Sequence, residues 1–164
     1  MWWSDERDVP PDHPDSNERL AREALLERVR VPEEQIHPLR STGVELPPRF
    51  DVILLGIGLD GHTASLYPGR PELEAVDPIV YVPEPRWPPP HPRYTFTLPL
   101  LNAGPVVAFI VGGEDKRQIL GRVLAGDQAL PAARVHAAET VVLADEAAAP
   151  GVPGGGGLRS PTEA

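Results

Sequence analysis

A chain of 164 residues with a net charge of −9 and no cysteine is long enough to bury a core of its own in one domain, and it has no means of building disulfides, thiolate metal sites or a cysteine nucleophile. The acidic balance argues against non-specific nucleic-acid binding, no apolar run approaches the roughly 18 residues of a membrane span, and no basic-then-apolar segment at the N-terminus marks a secretory signal. Lys116 is the only lysine, and 22 prolines with 15 glycines match the composition of a GC-rich genome, so an anionic ligand would have to be held by a few local cations.

Met1 to Arg7 is apolar and then charged, like the end of a strand and the loop after it. Pro10 to Pro14 is a proline-punctuated loop. Asp15 reads as an N-cap with Glu18 three residues on, the pattern of a capping box. The helix is expected over 16–29, with Leu20, Ala24, Leu25 and Val29 as its apolar stripe. Residues 40–48 read as a loop. Val52 to Ile57 is continuous in its apolar residues and reads as a strand buried on both faces. A short helix is expected to start near Gly61 or His62.

Ile79 to Val82 is a short strand, and 83–92 is a proline-rich extended loop. Arg93 to Leu98 alternates, with Tyr94, Phe96 and Leu98 inward and Thr95 and Thr97 outward. Val106 to Val111 is a second continuous apolar strand. Gly112-Gly113 and a helix over 114–124 follow, its inner face being Ile119, Leu120 and Val123. Val141 to Leu143 is a last strand. Residues 150–164 are rich in glycine and proline and read as a disordered tail, leaving one domain over 1–149. Recurring strand-loop-helix units predict an α/β fold, doubly wound, with a mainly parallel sheet and helices on both faces.

Three clusters carry the chemistry. In the first, Gly56, Gly58 and Gly61 let the backbone turn tightly ahead of Asp60-Gly61-His62 at the carboxyl end of a strand, where ligands of open α/β sheets bind. His62 there is a candidate general base, kept neutral by a helix N-terminus. The other reading is a loop histidine bonded to Asp60 for structural reasons. In the second, Asp5-Glu6-Arg7 faces the same sheet edge, and Arg7 suits a phosphate or carboxylate; a solvated loop is the alternative. In the third, Gly112-Gly113-Glu114-Asp115-Lys116 is a weak anion-site pattern without the Gly-Lys-Ser/Thr of a nucleotide loop. Arg93 opens a strand that points at the same edge. His13, His37, His91 and His136 show no metal-ligand spacing and are expected on the surface. No Gly-x-Ser-x-Gly elbow is present.

These blocks resemble the 6-phosphogluconolactonases of the sugar-phosphate isomerase/deaminase-like superfamily. Trp3-Ser4-Asp5-Glu6-Arg7 with Ser16-Asn17, the 51–68 segment around Asp60-Gly61-His62-Thr63-Ala64-Ser65, Arg93-Tyr94-Thr95-Phe96-Thr97, and Gly112 to Lys116 followed by Leu130-Pro131 and Asp145-Glu146 are similar to the family's blocks in order and spacing. The resemblance implies hydrolysis of 6-phospho-D-glucono-1,5-lactone to 6-phosphogluconate in the oxidative pentose phosphate pathway, in the cytoplasm, with no metal and no organic cofactor. It implies His62 as the base that activates water, Asp60 and Asp5 as orienting acids, and Arg7, Lys116 and Arg93, beside Gly58 and Gly61, as the holders of the anionic substrate. The expected partner is a phosphorylated sugar lactone, with no nucleic acid and no membrane.

Family members carry a further segment ahead of the Trp-x-Asp-Glu-Arg block, with the first strands and a Ser-Gly-Gly-type phosphate loop that is not seen here. The expectation is a sheet without those strands, an exposed apolar edge, and weak phosphate binding by this chain alone. A non-catalytic remnant or assembly partner, or an amino-sugar-phosphate deaminase, are the competing readings. Arg7 speaks against the deaminase, since the deaminases resemble Asp-Glu-Tyr there.

Overall fold

A computed structural model describes residues 1–85 and 88–151; the tail expected from residue 150 lies, from residue 152 on, outside the described residues. The chain folds as β1 (Asp5–Arg7), α1 (Asn17–Ala21), β2 (Ile53–Leu55), β3 (Ile79–Val82), β4 (Arg93–Phe96), α2 (Leu98–Asn102), β5 (Val106–Val111), α3 (Arg117–Leu124) and β6 (Glu139–Ala144), with short 3₁₀ turns between several of them. The α/β class is as expected. The strands divide into two three-stranded sheets, β2-β5-β6 and β1-β4-β3. The first is parallel throughout. The second is antiparallel throughout, with Asp5 opposite Thr95 and Arg7 opposite Arg93, so the mainly parallel expectation describes one of the two sheets.

The register of the parallel sheet sets Ile53 beside Val107, Leu55 beside Phe109, and Phe109 in turn beside Val142. These residues share one face, and Ile53, Leu55, Val107 and Phe109 are buried. The buried side of α3 (Ile119, Leu120 and Val123, the expected inner face) joins the same core. The opposite face carries Leu54, Ile110 and Leu143, which are 60%, 56% and 55% exposed. Val52 and Leu54 are therefore not buried, against the reading of a strand covered on both sides. Continuous apolar strands ordinarily have both faces covered; here, among the described residues, the core covers one.

The first helix also departs from expectation. Ser16, not Asp15, is the N-cap, its hydroxyl accepting from the Arg19 amide at 3.2 Å. The α-helix ends at Ala21 and continues as a π-helical turn over Arg22–Leu26. All four residues of the expected stripe, Leu20, Ala24, Leu25 and Val29, are exposed, and Leu26, at the end of the π-helical turn, is buried instead. Leu20 and Leu25 line a groove with Phe50, Val52 and Leu54 along the outer side of β2. In β4 the alternation is overridden: Thr95 and Thr97 are fully buried along with Phe96. Their hydroxyls make this tolerable, since Thr95 Oγ1 accepts from the Ser65 amide and Thr97 Oγ1 donates to the Asp77 carbonyl.

Glu18 is 7% exposed and is clamped by Arg22 at 2.9 Å and by Arg40. Burial opposes its ionisation, but hydrogen bonds from Arg40 and Arg22 outweigh burial and hold the carboxyl below its usual value of 4.5. A carboxyl with a depressed folded-state pKa stabilises the fold above its unfolded value, and that stability is lost as pH falls through the folded one. Urea midpoints measured from pH 7 downward should therefore fall as pH drops below 4.5, and Glu18→Gln should flatten that part of the curve.

Candidate active site

The turn after β2 is built around two glycines. A Cβ on Gly58 would lie 2.0 Å from His62 Nδ1, so only glycine admits the imidazole at that position. Gly61 has φ +84°, and a side chain there would strike Leu130. The Gly58 amide donates to the His62 carbonyl at 2.8 Å and the Gly61 amide to the Gly58 carbonyl at 2.9 Å, which closes the turn. No helix starts at Gly61 or His62, against expectation. The segment instead folds into tight turns closed by a Thr63–Leu66 bridge, with the Thr63 hydroxyl donating to the Gly56 carbonyl.

A helix dipole is thus not what orients His62; Asp60 is. Asp60 Oδ1 lies 2.6 Å from His62 Nδ1 and also accepts the His62 amide at 3.1 Å. An ionised carboxylate only accepts hydrogen bonds, so the ring proton belongs on Nδ1 and Nε2 is left with a lone pair. The ring is tilted against Tyr67, with centroids 4.8 Å apart. Burial pushes the Tyr67 hydroxyl above its ordinary pKa, against a smaller opposing pull from Arg93, so that wall carries no charge at neutral pH.

His62, Asp5, Gly58 and Lys116 line one cavity of about 440 Å³ together with Ser4 and Gly56. Asp5 arrives from β1; its Oδ2 accepts from the Ser65 hydroxyl at 2.7 Å, and Arg93 Nη1 stands 4.0 Å away. Lys116 arrives from the turn after β5, and its Nζ donates to the Ile57 carbonyl at 2.8 Å. The Asp145 carboxylate holds that turn by accepting from the Gly113 amide at 3.0 Å and the Ala148 amide at 2.7 Å.

Two expected substrate holders lie elsewhere. Arg93 is 5% exposed and sits behind Asp5, with Nη2 on the Pro89 carbonyl. Arg7 does not line the cavity; its Nη1 donates to Asn17 Oδ1 at 2.5 Å and to the Asp15 carbonyl at 3.1 Å.

Ser65 was not singled out from the sequence, and Glu6 was placed in the wrong surroundings. Ser65 is fully buried and tethers Asp5; its signal was its place in the Thr63-Ala64-Ser65 run. Glu6, read as part of a solvated or ligand-facing charge cluster, is 1% exposed. It accepts the amides of Arg7, Asn17 and Glu18 and the hydroxyl of Ser16, and so fastens the start of α1 to β1.

The sequence model of the glucosamine-6-phosphate isomerases/6-phosphogluconolactonase family matches residues 1–143. The chain belongs to that family. Among curated relatives, the 6-phosphogluconolactonase of Synechocystis is 40% identical over 76% of this chain and 60% of its own length. The human 6-phosphogluconolactonase is 38% identical over 91% of this chain and 66% of its own length. The chain therefore spans less than two thirds of these relatives. The crystal structure of 6-phosphogluconolactonase from Thermotoga maritima superposes with a TM-score of 0.76 at 30% identity, covering 87% of this chain and 71% of that one. Among the described residues no helix is long and apolar enough to cross a membrane.

Proposed function

We propose that this family member hydrolyses 6-phospho-D-glucono-1,5-lactone to 6-phosphogluconate, as a cytoplasmic enzyme of the oxidative pentose phosphate pathway. The observation that carries the reading is the Asp60–His62 pair at 2.6 Å, set on a cavity that also holds Lys116 and Asp5. The relatives' names support the substrate.

In this reading His62 Nε2 takes a proton from a water as its oxygen attacks the lactone carbonyl. The tetrahedral oxyanion then collapses, the bond to the ring oxygen breaks, and the imidazolium returns its proton to that leaving oxygen. Asp60 holds the tautomer and stabilises the transient imidazolium, as the carboxylate of a catalytic triad does. Asp5, fixed by Ser65 and backed by Arg93, orients the substrate. Lys116 offers a cation to the phosphate. Arg7 and Arg93 act as positioning residues, Arg7 through Asn17 and Arg93 through Asp5. Holding a reactive ester beside one base can supply a large part of the acceleration.

The test of substrate class compares the phosphorylated lactone with glucono-1,5-lactone. Lys116→Met should raise KM about tenfold for the phosphorylated substrate, the loss of one charge-assisted contact, and leave the unphosphorylated one nearly unchanged. Equal effects on both would remove Lys116 from phosphate binding.

A further inference from the structure

His13 and His91 are 78 residues apart in sequence, and the fold brings them together over Asp15. His91 Nε2 is 2.8 Å from Asp15 Oδ2, and His13 Nδ1 is 3.8 Å from the same oxygen. The two imidazoles meet edge to face with centroids 5.1 Å apart. One donor atom from each of the three residues lies within 4.8 Å of the others. We infer that His13, Asp15 and His91 form a site for a divalent transition-metal ion of the zinc, cobalt or nickel class, separate from the His62 cavity.

The ligand chemistry fits. Two neutral imidazoles and one carboxylate are nitrogen and oxygen donors of the kind such ions take, and three protein ligands leave a position for water. With metal–ligand bonds of about 2.0–2.2 Å, tetrahedral donors stand roughly 3.3–3.6 Å apart. The two distances to Asp15 Oδ2, 2.8 and 3.8 Å, bracket that spacing, and the remaining donor pair lies within 4.8 Å, so side-chain rotations that draw the two rings together would close the site. Among the described residues no arginine or lysine forms an ion pair with the Asp15 carboxylate, so no cation has to be displaced. The cost is two hydrogen bonds: a metal on the His13 Nδ1 lone pair displaces the Asp15 amide that donates there at 3.1 Å, and a metal on His91 Nε2 replaces the 2.8 Å bond to Asp15 Oδ2, the ring proton moving to Nδ1.

The backbone holds the ligands' loops in place without the ion. β1 and β4 pair antiparallel, and just beyond them the Asp8 amide donates to the Pro92 carbonyl at 2.7 Å. His13 and Asp15 lie in the loop leaving β1, and His91 in the loop entering β4. A bound ion would clip these loops together beside Arg7, which donates to the Asp15 carbonyl. None of the three ligands lines the cavity of His62, so the inference stands independently of the proposed reaction.

Calorimetric titration of the EDTA-stripped chain with Zn²⁺ tests it. One equivalent should bind and raise the melting temperature. His91→Gln and Asp15→Asn should each weaken binding at least about tenfold, and His136→Gln should not. As a second readout on the unaltered chain, Zn²⁺ should shift the ring resonances of His13 and His91 and leave those of His37 and His136 in place. Absence of binding, binding undiminished in both ligand variants, or shifts confined to other histidines would overturn the assignment.

Discussion

His62→Asn should lower kcat for the phosphorylated lactone by about a thousandfold, within the range that a positioned general acid–base supplies, with KM little changed. The asymmetry follows from where the side chain sits. In the proposed reaction its lone pair at Nε2 faces the reacting atoms, and no part of the proposed phosphate contact passes through it. Asp60→Asn should cost less, because an amide oxygen can still accept from the imidazole at the place of the 2.6 Å contact, and only the negative charge that steadies the imidazolium is gone. Steady-state kinetics with subtraction of spontaneous ring opening distinguishes the two. If His62→Asn raised KM and left kcat intact, the residue would be a binding group and the proposed proton transfers would be wrong.

Glu6→Ala should destabilise the fold by about 3 kcal/mol, from amides and a hydroxyl that lose a charged acceptor in a buried site. The Glu6 carboxylate receives the Asn17 and Glu18 amides at 2.7 Å each and the Arg7 amide at 2.8 Å. Glu6→Gln should cost about half as much, since one oxygen remains but the new NH₂ must face an amide that also donates. Urea denaturation at neutral pH reads both. The consequence for the site is indirect: α1 presents Asn17 to Arg7, so loosening Glu6 releases Arg7 before it disturbs His62. A Glu6→Ala chain as stable as the parent would show that this carboxylate does not fasten α1 to β1.

Local signals in this sequence are reliable where the physics is local. β3 and β5 lie where their apolar runs place them, since each run is bounded by glycine or proline. The Gly58–His62 turn was legible because its glycines answer to a steric demand that a neighbouring ring imposes. Long-range demands were not legible. Glu6 sits in a run of charges and looks solvated, but it is buried because α1 needs an acceptor for its first amides. Thr95 and Thr97 look outward-facing by alternation, but β4 is the middle strand of its sheet and their hydroxyls have partners inside. Leu20, Ala24, Leu25 and Val29 follow a helical period, but the π-helical turn over Arg22–Leu26 breaks it, and with the outer side of β2 open they stay exposed. Arg93 looked like a substrate ligand and lies behind Asp5. His13 and His91 show no ligand spacing along the chain, because only the pairing of β1 with β4 makes them neighbours.

The most direct measurement is the initial rate of 6-phospho-D-glucono-1,5-lactone ring opening by the 164-residue chain beside its His62→Asn variant at equal concentration. A saturable rate above the spontaneous reaction is expected for the first and a rate close to spontaneous for the second. Indistinguishable rates for the two proteins, at any level, would contradict the proposed reaction.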